Sequence, residues 1–255
     1  MNLGLSGKTA VITGAGRGIG NAIANSLHKE GVEVIGISRN SKKEMISQKD
    51  DNFPGILFTA DLFEDEERKD IFNEITNTYE QIDIVINNVG GTLGVSNPLA
   101  SFDDYEKVIK FNLGIAIEIN NLVIPKMKER QWGRICHVSS ISAIENHGPP
   151  TYCASKAALN AYIRSVGRFL AEFNIVFTGV MPGAIFTQGG YWEDMAVNRP
   201  EQLEAYLQNR MSSKRLGTVE EISELVCFLV SEKSSFMFGS NVLADGGQGR
   251  LFFQS

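Results

Sequence analysis

Short apolar runs alternate with longer amphipathic stretches along almost the whole chain, and few folds accommodate that order. Strand-length runs stand at Thr9–Thr13, Val32–Ser38, Ile56–Ala60, Ile82–Asn87, Gly133–Ser139, Ile175–Met181 and Asn241–Ala244. Helical periodicity fills the intervals near 18–30, 65–79, 101–129, 152–172 and 218–231. Strand, helix and strand in succession build βαβ units, whose strands run parallel and are covered on both faces. Most of these runs lack polar alternation, as doubly covered strands should. The expected class is α/β: a Rossmann-type doubly wound sheet of seven mainly parallel strands flanked by helices on both faces. No linker or internal repeat divides the 255 residues, so one domain over 1–255 is expected. Only the polar and aromatic stretch at about 188–214 breaks the alternation, and it is expected to be a substrate-lid insertion hinged at Gly189-Gly190.

Composition narrows the partners. A formal net charge of −6 excludes a general positive field for nucleic acid or anionic lipid, so any phosphorylated ligand needs a local basic site. Cys136, Cys153 and Cys227 are too scattered for a disulfide framework. With no basic-then-apolar leader and no run of eighteen apolar residues, the expectation is a cytoplasmic protein with no membrane partner.

The first strand runs into Gly14-Ala-Gly-Arg-Gly-Ile-Gly20 and then a helix. Glycines at such a turn let backbone amides approach a pyrophosphate, and the helix amino end adds unpaired N–H groups. Gly14, Arg17, Gly18, Ile19 and Gly20 are therefore candidate cofactor contacts, although the spacing is G-x-x-x-G-x-G. At the end of the second strand an acidic residue would select NAD, whereas an arginine accommodates a 2′-phosphate. Arg39 stands there, and Arg17 supplies a second guanidinium, which points to NADP (NADPH) over NAD.

Tyr152 and Lys156 lie four apart at the start of the fourth helical stretch, on one helical face. A neighbouring ammonium favours phenolate, which is expected to bring the tyrosine's pKa toward the working range. In order along the chain, Thr13-Gly-Ala-Gly-Arg-Gly-Ile-Gly20, Asp61-Leu62, Asn87-Asn-Val-Gly90, Asn112, Ser139-Ser140, Tyr152-Cys-Ala-Ser-Lys156, Pro182-Gly183 with Thr187, and Asp245-Gly-Gly247 complete a pattern. From about Leu5 to Gly247 the chain resembles the short-chain dehydrogenase/reductase family, in its single-domain, 3-oxoacyl-[acyl-carrier-protein] reductase-like branch. That resemblance implies Asn112, Ser140, Tyr152 and Lys156 as the catalytic set. Tyr152 would be the general acid-base, Ser140 would polarise the substrate oxygen, Lys156 would hold the nicotinamide ribose, and Asn112 would hold a relay water. Asp61 and Leu62 would meet the adenine, Asn88 and Gly90 would lie by the ribose, and Pro182, Gly183, Ile185 and Thr187 would clamp the nicotinamide amide. Ser140 lies twelve residues before Tyr152 and Ser139 thirteen, the more usual gap; the second serine is preferred because it usually carries the role.

The substrate side is read from two places. Ser142, Glu145 and His147, after the fifth strand, suit a polar or hydroxyl-rich substrate, and Tyr191 and Trp192 in the insertion suit stacking on a ligand body. His137 is expected to be a satisfied buried histidine, and no spacing suggests a metal. The resemblance implies a small-molecule carbonyl or alcohol substrate and a homo-oligomer, dimer or tetramer. A 3-oxoacyl thioester and a sugar, polyol or sugar-nucleotide ketone are the two substrate classes, and a basic surface from Arg199, Arg210, Lys214 and Arg215 would suit an acyl carrier. A non-catalytic nucleotide-binding regulator is the alternative of another class, against which the intact catalytic set argues.

Overall fold

A computed structural model describes residues 2–39 and 53–250; the carboxyl-terminal Phe252 and Phe253, which the sequence alone leaves either docked across a subunit boundary or unstructured, lie outside them. Seven strands form one sheet: β1 (Thr9–Thr13), β2 (Glu33–Ser38), β3 (Ile56–Thr59), β4 (Ile84–Asn87), β5 (Gly133–Val138), β6 (Ile175–Pro182) and β7 (Asn241–Ala244). Their spatial order is β3-β2-β1-β4-β5-β6-β7, and every pairing is parallel. The sequence order reverses direction between β1 and β4, where crossovers to opposite faces leave a crevice at the strand ends.

Both faces are covered because both side-chain registers are apolar. Val11 of β1 belongs to the core shared with α2 (Asp65–Thr78), α4 (Ile115–Arg130) and α5 (Pro150–Leu170), through residues such as Phe72, Ile119 and Ile163. Its neighbours Ala10 and Ile12 point the other way, into the core with α1 (Gly18–Lys29) and α8 (Val219–Leu229), against Ile23, Leu27 and Val226. Each such buried Ile, Leu or Phe contributes roughly 1.5–3 kcal/mol relative to exposure. A carboxylate at Ile12 would break this layer.

The stretch from α3 (Phe102–Ile109) to α4 is a single helical run, joined by a π-helical segment at Lys110–Gly114. Ser101 and Asp104 form a reciprocal cap at its start. By length and composition Phe102–Arg130 is long and apolar enough to cross a bilayer. It instead carries buried Asn112 and Asn120 and an ion pair from Glu118 to the buried Arg68 of α2. The 188–214 insertion contains two helices, α6 (Tyr191–Asn198) and α7 (Pro200–Arg210), that periodicity did not show. Both helices are short, and the apolar residues of α7, Leu203, Tyr206 and Leu207, are only half-buried among many polar ones.

Candidate active site

A cleft of about 810 Å³ follows the carboxyl ends of the strands on both sides of the β1/β4 reversal. Every expected cofactor residue lines it except Gly20, which lies beneath the turn. A Cβ at Gly20 would sit 2.3 Å from the Gly14 carbonyl oxygen and 2.6 Å from Asn88 Nδ2, so only glycine fits. Asn88 props the turn from below, its Nδ2 donating to the carbonyls of Thr13 and Gly14 at 3.1 Å each. Arg17 is the α1 N-cap and makes no side-chain cap bond, which leaves the first-turn N–H groups for an anion. Arg17 Nη1 also donates to the Gly189 carbonyl at 3.4 Å, linking the glycine turn to the insertion.

At the far end, Arg39 lies 3.9 Å from the Asp61 carboxylate and above the Phe111 ring at 5.9 Å, and its side chain is 61% exposed. Phe111 packs edge-on against Phe63, giving this end two aromatic walls. Ser38, Phe63, Phe111 and Gln188 also line the cleft and were missed in the sequence. Phe63 and Phe111 adjoin recognised motif residues, which was the available signal.

The strand ends set the reactive centre. Pro150 opens α5 at a position that tolerates its missing N–H, which fixes Tyr152 in the first turn beside β5. The Ser140 hydroxyl stands beside the Tyr152 phenol and acts to favour its ionised form. Ser139, the alternative, is instead buried and donates to Asn160 Oδ1 at 2.7 Å. Lys156 is buried, its Nζ donating to the Val138 carbonyl at 2.8 Å and lying 5.7 Å from the Tyr152 ring centre. Burial holds the Lys156 ammonium down at about 7. The expectation that Lys156 draws the Tyr152 pKa down is corrected here. Burial raises the phenol above its ordinary value, with the Ser140 hydroxyl acting against that rise.

Asn112 sits in the π-helical segment, a distortion that helices often carry at functional sites. Its amide accepts from Gly91 N–H at 2.9 Å and donates to the carbonyls of Gly91 and Val108. A Cβ on Gly90 would lie 2.7 Å from Asn112 Oδ1 and 2.9 Å from Lys156 Nζ. Both groups therefore face the space above Gly90, and Asn112 Oδ1 retains a second lone pair there.

The expected substrate residues divide. Trp192 lines the cleft, while Tyr191 is exposed and lies under Arg199. Ser142, Glu145 and His147 lie outside that lining. The Ser142 hydroxyl donates to the His147 carbonyl, His147 Nε2 lies 3.3 Å from the Glu145 carboxylate, and Glu145 accepts from the Arg250 N–H. These groups tie their loop to the carboxyl-terminal segment. His137 is fully buried: Nδ1 meets the Thr178 carbonyl, Nε2 meets the Asn87 and Asn120 amides, and burial lowers its pKa to about 4. The cysteines at 136, 153 and 227 are all free. Among the described residues no cluster of His, Cys, Asp or Glu could hold a metal ion.

This combination of a doubly wound sheet, a glycine turn and a Ser-Tyr-Lys centre defines a class, and comparison with known proteins identifies it. The family described as enoyl-(acyl carrier protein) reductase matches residues 14–248. The chain belongs to the short-chain dehydrogenase/reductase family. It is 31% identical to the 3-oxoacyl-[acyl-carrier-protein] reductase FabG of Aquifex aeolicus over 97% of this chain and 99% of that protein. L-sorbose reductase from Gluconobacter frateurii, solved with NADPH and L-sorbose, superposes with a TM-score of 0.86 at 25% identity, over 99% of this chain and 100% of that one. A 3-oxoacyl (acyl-carrier-protein) reductase from Agrobacterium tumefaciens with NADP bound superposes with a TM-score of 0.85 at 28% identity, over 96% and 95% of the two chains.

Proposed function

We propose that this protein is an NADP-dependent oxidoreductase that reduces a small-molecule carbonyl to a secondary alcohol, with Tyr152 as the general acid. The observation that carries the reading is the meeting of Ser140, Tyr152 and Lys156 at one end of a cleft whose other end holds Arg39. The fit to a dinucleotide rests on the glycine turn, where no side chain fits at Gly20, and on Arg17 and Arg39, which suit a 2′-phosphate. Asp61 and Leu62 would hold the adenine, Asn88, Gly90 and Lys156 the nicotinamide ribose, and Pro182, Gly183, Ile185 and Thr187 the amide. Bound NADPH supplies the hydride for the carbonyl carbon.

The chain's own groups handle the proton. Ser140 donates to the substrate oxygen and Tyr152 passes its proton to the same oxygen as negative charge develops there. A phenol raised by burial is protonated at neutral pH, the form that reduction requires. Lys156 keeps one N–H on the Val138 carbonyl and has two more to offer. A water bridging Lys156 Nζ and Asn112 Oδ1 above Gly90 would return the proton.

The 188–214 segment covers the substrate end of this single catalytic domain in the proposed arrangement. Trp192 supports a sugar or polyol ketone, because a flat aromatic face with a polar edge suits a ring or polyhydroxy chain. The 3-oxoacyl thioester is the second reading. Against it, Arg199 is paired with Asp194 at 2.6 Å, Arg215 is paired with Glu221 at 2.6 Å, and Lys214 donates to the Gln208 carbonyl. The protein is proposed to be cytoplasmic and homo-oligomeric, dimer or tetramer, with the exposed Leu122 of α4 and Phe169 of α5 supporting an interface. NADPH oxidation measured against ketoses, sugar-nucleotide ketones and 3-oxoacyl thioesters tests the reading. Turnover of a ketose above all thioesters is expected, and no turnover of any carbonyl would overturn it.

A further inference from the structure

The segment after β7, Asp245–Arg250, touches the cofactor side and the substrate side of the cleft at once. Gln248 is 4% exposed, and its amide is used at both ends. Its Oε1 accepts from the Ala184 N–H at 2.9 Å, inside the stretch Pro182–Thr187 that lines the cleft. Its Nε2 donates to the Tyr206 hydroxyl at 2.7 Å, on α7. The Tyr206 ring in turn packs on Trp192, centres 4.6 Å apart and planes at 48°, and Trp192 lines the cleft.

No residue within α7 is fully buried: Leu203, Tyr206 and Leu207 are half-buried, and Met211 at its carboxyl cap is the nearest fully buried side chain. Its carboxyl end is held by polar contacts with the same segment. Ser213 N–H donates to the Gly246 carbonyl at 3.0 Å, the Ser212 hydroxyl to the Gly247 carbonyl at 2.7 Å, and Arg250 Nη2 to the Asn209 carbonyl at 3.2 Å. A Cβ at Gly183 would lie 2.7 Å from Gln248 Oε1, so the amide reaches the cofactor-side backbone only because that position is glycine.

We propose that Gln248 is a positioning residue that fixes Trp192 over the substrate end through Tyr206, and couples it to the backbone of the nicotinamide side through Ala184. A buried amide with one donor and one acceptor engaged on different elements holds both, because releasing either leaves a desolvated polar atom. The identity of the two ligands rests on the functional reading above; the chain of contacts does not. Substrate selection in this protein would then be set in part by a residue that touches neither ligand.

The test uses the whole chain with Trp132→Phe, which leaves Trp192 as the remaining one of two tryptophans. Trp132 lies between Lys8 and Arg134, away from the cleft. Acrylamide quenching of Trp192 is measured in that background, then with Tyr206→Phe, Gln248→Met and both together. Tyr206→Phe keeps the ring and removes one oxygen, so it remains informative if Gln248→Met folds poorly. The expected result is a rise in the quenching constant of about two-fold in either variant and no further rise in the double, as for two members of one network. In kinetics, Tyr206→Phe is expected to raise the carbonyl KM about 5–10-fold, the size of one neutral hydrogen bond, with kcat and NADPH KM unchanged. Unchanged quenching in folded Tyr206→Phe, or independent effects that multiply in the double variant, would overturn the proposal. If no carbonyl is turned over, the functional reading falls alone, and the quenching series still decides the coupling.

Discussion

The two ends of the cleft are built by different means. At the dinucleotide end, side chains sit on strand ends whose positions follow from sheet register, and they are braced by neighbours close in the fold, such as Asn88 under Gly14. At the substrate end, α6 and α7 stand outside the sheet, and α7 is held by hydrogen bonds from residues far along the chain, Gln248 and Arg250. The first end is rigid because the core is rigid beneath it. The second owes its shape to ring packing between Trp192 and Tyr206 and to a few polar contacts, the kind of surface segment on which specificity is commonly carried.

Three variants probe that contrast. The largest effect belongs to Tyr152→Phe, where both ends meet. It should lower kcat by roughly 10²–10⁴-fold, the usual range for losing a general acid, while NADPH affinity measured by titration stays near native. Next, replacing Arg17 and Arg39 together by alanine should act on the dinucleotide end alone. The NADPH-over-NADH ratio of kcat/KM should fall about 10–100-fold, as expected for lost charge-assisted bonds, with the carbonyl KM unmoved. A carbonyl KM that rose in parallel would show that the two ends are not separable in this way.

The smallest effect concerns stability. The Lys156 ammonium has a pKa of about 7 against an ordinary 10.5. Between those values the unfolded chain binds a proton that the folded chain does not. Burying the charge therefore costs stability most fully below pH 7, and the cost fades as pH rises toward 10.5. Lys156→Met, though inactive, should melt at least about 2–4 °C above the native protein at pH 6, and the gain should vanish by about pH 10.5. Thermal melts of the cofactor-free protein across that range check both the sign and the trend.

What the sequence disclosed follows the same division. The seven strands were legible within a residue or two because they are apolar on both faces, and the glycine turn because its residues are contiguous. Tyr152 and Lys156 were legible because helical spacing alone puts them together. By contrast, the apolar residues of α7 are few and only half-buried, and the contact between Gln248 and Ala184 spans 64 residues. Glu145 and His147 look like substrate groups in the chain, yet they bond to each other and Glu145 to the Arg250 N–H, a partner that no local pattern announces. The π-helical setting of Asn112 was equally silent, since its flanking residues fit an ordinary helix. The shift of Tyr152 was misjudged for a related reason. Spacing shows the ammonium, but only the packed structure shows the burial that acts on both groups.

The central claim, hydride delivery to a carbonyl with Tyr152 supplying the proton, is tested most directly by isotope transfer. Native protein and Tyr152→Phe would be incubated with NADPH carrying deuterium at the transferable position and with the best ketone from the panel, and the alcohol examined by mass spectrometry. One deuterium on the carbinol carbon with the native protein, and almost no labelled alcohol with Tyr152→Phe in the same time, is the predicted result. Equal labelling by both proteins, or an alcohol formed without deuterium, would contradict it.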